Sequence, residues 1–83
     1  MLFEDAVHIF KDSRRIERID EDESYGEDRW QTIGMADKVL FVIYAERGDK
    51  TRIISVRVAE PYERRIYNGD SDIYPRGWHR TNF

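Results

Sequence analysis

The segment Val39-Leu40-Phe41-Val42-Ile43-Tyr44-Ala45 is the longest apolar run of the chain. Its length and continuous hydrophobicity predict a central β-strand, over residues 38–46, that is covered on both faces. The dipeptides Ala36-Asp37 and Gly48-Asp49 flank this strand and predict tight turns. We therefore expect an antiparallel meander in which the central strand pairs with a strand on either side.

The two neighbouring strands are predicted over residues 29–35 and 51–58. The second of them alternates, which predicts Ile54, Val56 and Val58 on one face. The opposite face would then carry Thr51, Ile53, Ser55 and Arg57. An arginine within a β-branched strand marks Arg57 as a candidate functional residue.

Beyond the meander, helical spacing of apolar residues predicts an amphipathic helix over residues 3–10. Pro61, at a favoured first helical position, predicts a second helix that ends at Asn68-Gly69. Residues 15–19 are compatible with an edge strand, and residues 20–28 form an acidic, exposed loop. Residues 69–83 are predicted to be a loose C-terminal tail. The predicted fold is a single α+β domain over residues 1–83, in which helices pack on a small twisted antiparallel sheet.

Composition excludes several classes of protein. A chain of 83 residues is long enough for one small domain. It contains no cysteine, which excludes disulfide scaffolds, thiolate zinc sites and cysteine nucleophiles. His8 and His79 are its two histidines, so we expect no metal site and no cofactor. No segment is long enough to span a membrane and no secretory signal is visible, so a cytoplasmic protein is the default expectation.

Charge is distributed unevenly along the chain. Residues 1–28 hold ten acids and four bases, a balance of −6, whereas residues 29–83 hold seven acids and ten bases, a balance of +3. Such asymmetry is compatible with a local anion-binding face despite the net charge of −3. A solvated surface of mixed charge is the alternative.

Arginines of the last strand and the second helix are the first candidates for chemistry: Arg52, Arg57, Arg64 and Arg65. Guanidinium groups that converge near a sheet suit phosphate binding. The alternative is that each arginine pairs with an acid such as Glu60 or Glu63.

Glu63 and Tyr67 lie one helical turn apart and could move a proton, although the same spacing suits an ordinary amphipathic helix end. Glu27 and Arg29 are two residues apart at the start of the first meander strand. They could pair with each other or face a ligand together.

These segments together resemble the BrnT family of bacterial toxins from residue 3 to about residue 68. The segments that carry the resemblance are Phe3-Glu4-Asp5-Ala6, Phe10-Lys11-Asp12, Gly26-Glu27-Asp28-Arg29, Arg52-Ile53-Ile54-Ser55-Val56-Arg57-Val58-Ala59 and Glu63-Arg64-Arg65-Ile66-Tyr67. The resemblance implies a type II toxin–antitoxin ribonuclease with a RelE-like fold, which cuts RNA without metal and arrests growth. It also implies a BrnA-like antitoxin with a ribbon-helix-helix part as partner.

Carried over residue by residue, the resemblance and the chemistry together define two sets. The catalytic set is Arg57, Glu63, Arg64 and Tyr67. The RNA-binding set is Glu27, Arg29, Arg52 and Arg65. Arginines would stabilise phosphate charge in the transition state, and a carboxylate or phenol would move the proton.

The chain departs from the family at its start. Family members usually carry a strand, a helix and a Lys-His-Gly segment before the helix that begins here at Phe3. The expectation that follows is an exposed sheet edge, through which the chain could homodimerise. The alternative function is therefore a catalytically inactive paralogue that acts as a protein-interaction module.

Overall fold

The computed structural model describes residues 2–20, 28–69, 75 and 77–81. Their elements, in chain order, are α1 (Leu2–Ile9), β1 (Ile16–Ile19), β2 (Asp28–Met35), β3 (Val39–Arg47), β4 (Lys50–Val58), α2 (Pro61–Asn68) and β5 (His79–Arg80). The strands form an antiparallel sheet in the order β4-β3-β2-β1-β5. The α+β class, the meander and both helices are confirmed.

Strand β3 is covered on both faces, as its continuous apolar run predicts. Leu40 and Val42 pack with Ala6 and Ile9 of α1 on one side. Phe41, from the alternate position, packs on the other side in a cluster that includes Tyr67 of α2. Because successive side chains of a strand point to opposite faces, α1 and α2 lie on opposite faces of the sheet.

A β-bulge in β4 corrects the predicted alternation. Ser55 lies opposite Ile43, but the next residue of β3, Tyr44, lies opposite Ile53. Ile54 is the extra residue, and it reverses the pattern on its N-terminal side. Ile53 consequently shares the α1 face with Val56 instead of sharing a face with Arg57.

Helix α1 lies close to the sheet because β2 carries a glycine beneath it. A Cβ atom added at Gly34 would be 3.0 Å from the Cβ of Ile9. At the β3–β4 turn, Gly48 adopts a φ of 64°, a left-handed conformation that glycine tolerates without steric cost.

The last described residues differ from the predicted loose tail. His79 and Arg80 form β5, which pairs with Glu17 and Ile16 of β1. Trp78, immediately before β5, is 7% exposed in the α2-side cluster. Burial of this indole surface fixes the segment on the sheet. Strand β1 is therefore confirmed as a strand but lies between β2 and β5 rather than at an edge.

Strands β4 and β5 form the outer edges of the sheet in the described part of the chain. Most of the predicted acidic loop, residues 21–27, lies outside the described residues. Neither α1 nor α2 has the length and the apolar composition that crossing a membrane requires.

Candidate functional site

Arg57 and Glu63 form a two-pronged ion pair where β4 meets α2. The two terminal nitrogens of Arg57 donate to the two carboxylate oxygens of Glu63 at 2.7 and 2.8 Å. The guanidinium carbon lies 4.3 Å from the centroid of the Phe41 ring. The arginine side chain is 43% exposed and the glutamate side chain 2% exposed. One partner thus anchors the other and leaves part of the guanidinium open to solvent.

The position of Glu63 follows from the start of α2. Its side chain also accepts a hydrogen bond, at 2.8 Å, from the backbone N–H of Glu60, which precedes the helix. Burial alone would raise the pKa of Glu63, but the hydrogen bonds from Arg57 and Glu60 outweigh burial and lower it. The same ion pair raises the pKa of Arg57. Glu63 is therefore a carboxylate held in its ionised form.

A groove of about 310 Å³ extends from this ion pair across the sheet. Its far wall carries Arg18, whose guanidinium carbon lies 4.7 Å from the centroid of the Trp78 ring. The Nε of Arg18 donates to the side-chain oxygen of Gln31 at 2.7 Å. Tyr62, which is 52% exposed, lines the side formed by α2. The groove thus presents two arginines, each resting on an aromatic ring and fixed by an acceptor.

The register of the sheet places the positively and the negatively charged strand residues on opposite faces. Arg18 lies opposite Gln31, and Arg57 lies opposite Phe41, which places both on the α2 face. Alternation and the β4 bulge place every basic residue of β1–β4 on this face: Arg18, Arg29, Arg47, Lys50, Arg52 and Arg57. The acidic residues of the same strands all lie on the α1 face: Glu17, Asp28 and Glu46. The α2 face therefore carries the basic residues of these strands beside the apolar cluster that packs against α2.

The structure places two predicted residues on this face of the sheet. Ala45 of β3 lies between Arg29 of β2 and Arg52 of β4, so the two arginines flank one position of the α2 face. Arg64 and Arg65 are exposed on α2 and do not line the groove; Arg64 donates to the backbone oxygen of Ala59 at 3.0 Å.

Tyr67 occupies a different place. It is 4% exposed, and its hydroxyl donates to a carboxylate oxygen of Asp12 at 2.5 Å. Burial, together with this bond to Asp12, raises the pKa of Tyr67 to about 12. The phenol therefore joins α2 to the segment after α1 and is not a wall of the groove. Glu27 lies outside the described residues.

Sequence reasoning did not single out three groove residues: Arg18, Tyr62 and Trp78. Arg18 belongs to a strand too short for its faces to be assigned from sequence, and Trp78 lies in the predicted tail. Alternation places Arg18 on the same face as Ile16, but it does not indicate which face of the sheet that is.

A second polar cluster lies on the α1 face. The Tyr44 hydroxyl donates to Glu17 at 2.5 Å, and Arg15 contacts the same carboxylate oxygen at 3.4 Å. Arg15 also donates to the Thr32 hydroxyl at 3.1 Å. Burial and the bond to Glu17 raise the pKa of Tyr44. These contacts join β1, β2 and β3, which is a structural role.

The fold and the groove define a class: a small α+β protein whose basic sheet face suits a phosphate-bearing ligand. In the described ranges, no three carboxylate or imidazole side chains converge as a metal site. A family model described as "Ribonuclease toxin, BrnT, of type II toxin-antitoxin system" matches residues 1–63.

The chain belongs to the BrnT family of ribonuclease toxins, which confirms the resemblance found in the sequence. Membership of a type II toxin–antitoxin family implies an antitoxin partner. The matched region contains Arg57 and Glu63 and ends before Arg64. A search of curated proteins gave no match.

Proposed function

We propose that this chain is a metal-independent endoribonuclease that binds RNA on the α2 face of its sheet and is neutralised by a BrnA-like antitoxin. One observation carries this proposal: all basic residues of β1–β4 lie on the α2 face, and all acidic ones lie on the other. Segregation of this kind produces a local positive potential in a chain of net charge −3. Such a surface attracts the RNA backbone.

Arg57 is the residue best placed to act on a phosphodiester. Cleavage builds negative charge on the non-bridging phosphate oxygens, and a preorganised donor stabilises that charge most effectively. Glu63 and the Phe41 ring fix the guanidinium before RNA arrives. Its 43% exposure leaves N–H donors available to a phosphate.

Glu63 has a positioning role in this proposal. Its carboxylate is 2% exposed, and both of its oxygens accept hydrogen bonds. Its pKa lies below the ordinary value, so it binds a proton reluctantly at neutral pH. Four further arginines would bind the RNA backbone: Arg29, Arg52, Arg64 and Arg65. Tyr67 would hold α2 in place.

The antitoxin would cover the same face of the toxin. Acidic and apolar partner residues would then meet the region from Arg57 to Arg65, because inhibition and charge complementarity both favour it. A ribonuclease toxin of this kind would have a RelE-like fold and would act in the cytoplasm. The outer strand β4 offers an edge for self-association.

A catalytically silent interaction module is the second candidate, and one observation favours it. Arg57 already has a carboxylate partner, and Tyr67 is bonded to Asp12. Both are arrangements that a purely structural role would also produce.

Incubation of the purified chain with labelled RNA, with and without EDTA, separates the two candidates. Cleavage that persists in EDTA supports the ribonuclease. Cleavage that EDTA abolishes contradicts metal independence. No cleavage, combined with capture of a co-expressed BrnA-like antitoxin, supports the silent module.

A further inference from the structure

We propose that the groove between Arg18 and Arg57 binds single-stranded RNA, with one base stacked against Tyr62 and a phosphate at each arginine. This inference rests on the proposed function and adds the substrate class and two further binding residues, Arg18 and Tyr62. It starts from the two arginines that line one groove.

The two arginine side chains are held by the same kinds of contact, although they come from strands at different positions in the sheet. Arg57 rests on Phe41 and is held by Glu63, and Arg18 rests on Trp78 and is held by Gln31. A guanidinium that is already fixed loses little conformational freedom when a phosphate binds. The groove is therefore lined by two arginines that are both preorganised for phosphate binding.

The groove also offers a stacking surface for a base. Tyr62 is 52% exposed on its α2 wall. Unpaired RNA bases stack on aromatic rings and on guanidinium planes, whereas bases inside a duplex are already stacked on each other.

Groove size supports the same substrate class. About 310 Å³ is near the lower limit of small-ligand pockets, which start at about 300 Å³. Such a volume suits part of one strand. Duplex RNA is instead recognised over extended surfaces of roughly 16 base pairs.

The experiment measures fluorescence anisotropy with a labelled, single-stranded 2′-O-methyl RNA, which lacks the free 2′-hydroxyl. The same strand annealed to its complement is the second probe. Wild type is compared with Arg18→Ala, Tyr62→Ala and Tyr62→Phe. Lys11→Ala removes one exposed positive charge beyond α1 and is the matched control. Melting curves establish that each variant is folded.

We expect at least about tenfold tighter binding of the single strand than of the duplex. Arg18→Ala should reduce the slope of log affinity against log salt by about 0.7, the value for one phosphate contact to a single strand. Tyr62→Ala should weaken binding by about 5- to 150-fold without changing that slope. Tyr62→Phe keeps the ring and loses only the 3.4 Å hydroxyl contact with Glu63, so it should bind within about twofold of wild type.

Equal affinity for the duplex, or an Arg18→Ala slope equal to that of Lys11→Ala, overturns the inference. Loss of binding in Tyr62→Phe would also contradict stacking as the role of that ring. The ribonuclease proposal fails separately. Tight, Arg18-dependent binding by a chain that cuts no natural RNA would refute the ribonuclease proposal but support the inference about the groove. Cleavage that is unchanged by Arg18→Ala and Tyr62→Ala would support the ribonuclease proposal and refute the inference about the groove.

Discussion

Both carboxylate oxygens of Glu63 accept hydrogen bonds from Arg57, at 2.7 and 2.8 Å, while the carboxylate itself is buried. The pair joins the last residues of β4 to the first turn of α2, so one contact serves both the fold and the proposed site. A fixed arginine that is still partly exposed can act on a ligand without first being ordered.

Glu63→Gln tests whether this carboxylate positions Arg57 or moves a proton. The amide keeps a hydrogen-bond acceptor but removes the charge, so we expect slower cleavage by roughly tenfold at every pH. A general base would instead give an acidic limb in the pH–rate profile that the variant lacks. The measurement is kcat/KM against pH for both proteins.

The double variant is the control for that interpretation. If Glu63 acts through Arg57, the combined Glu63→Gln and Arg57→Ala protein should cut RNA no more slowly than Arg57→Ala alone. Additive losses would show that Glu63 has a role independent of Arg57.

Tyr67→Phe should affect stability more than chemistry. The variant deletes the hydrogen bond to Asp12, a bond to a charged acceptor, and should lower the free energy of unfolding by about 1.5–3 kcal/mol. Tyr62→Phe removes only a long hydroxyl contact, 3.4 Å from Glu63, at an exposed position, and should change the free energy of unfolding by less than about 0.5 kcal/mol. Urea denaturation measures both. A cleavage rate of folded Tyr67→Phe well below that of wild type would support the predicted proton-transfer role of this phenol.

Protonation of two carboxylates, Asp12 and Glu63, should destabilise the protein at acid pH. Burial would raise the pKa of Asp12, but hydrogen bonds from Tyr67 and from the backbone N–H groups of Arg14 and Met35 lower it, and the pKa of Glu63 is lowered as well. Each lowered pKa makes the folded protein more stable at pH values above the ordinary pKa, which is 3.8 for Asp12 and 4.5 for Glu63. This stability is lost as the pH falls through the pKa of the group in the folded protein.

The urea midpoint should therefore decrease between pH 7 and about pH 3, and less so in a combined Asp12→Asn and Glu63→Gln variant. Glu4→Gln, at an exposed position, is the matched control and should behave as wild type. Equal acid sensitivity of the double variant and wild type would exclude these two groups as the cause.

Gly34→Ala should destabilise the contact between α1 and the sheet. The new methyl would lie 3.0 Å from the Cβ of Ile9, an atom that moves only if the helix backbone moves. We expect a loss of about 1–3 kcal/mol. Gly48→Asn is the control, because nothing lies within 4 Å there and asparagine tolerates the left-handed φ. Equal melting temperatures for Gly34→Ala and wild type would contradict this packing.

Local patterns predicted most of the fold because the elements are stabilised by their own sequences. The apolar run at 39–45 predicted a strand buried on both faces, and Pro61 predicted the start of α2. The bulge at Ile54 was not predictable, since it depends on how β4 pairs with β3. The position of Trp78 could not be predicted because the short strand after it has no periodicity, and the segment is held by pairing with β1 and by contacts with Arg18 and the core.

In the candidate site, too, some residues could be predicted from local sequence and others depend on how the strands pair. Arg57 stood out as a charge in a β-branched strand, and its pairing with Glu63 was one of the alternatives open from sequence. The position of Arg18 across the groove depends on a register between β1 and β2 that no local pattern encodes. The segregation of charge between the two faces became visible only when the register of β1–β4 was known.

Cleavage of labelled RNA by wild type and Arg57→Ala tests the central claim most directly. The account predicts a loss of roughly 10²–10³-fold in rate, the range for removal of one preorganised charge-stabilising donor. Arg57→Lys should recover only part of the rate, since an ammonium cannot contact phosphate in two-pronged fashion. Lys11→Ala should cut as wild type does. Equal rates for folded Arg57→Ala and wild type would contradict the claim that Arg57 stabilises the transition state.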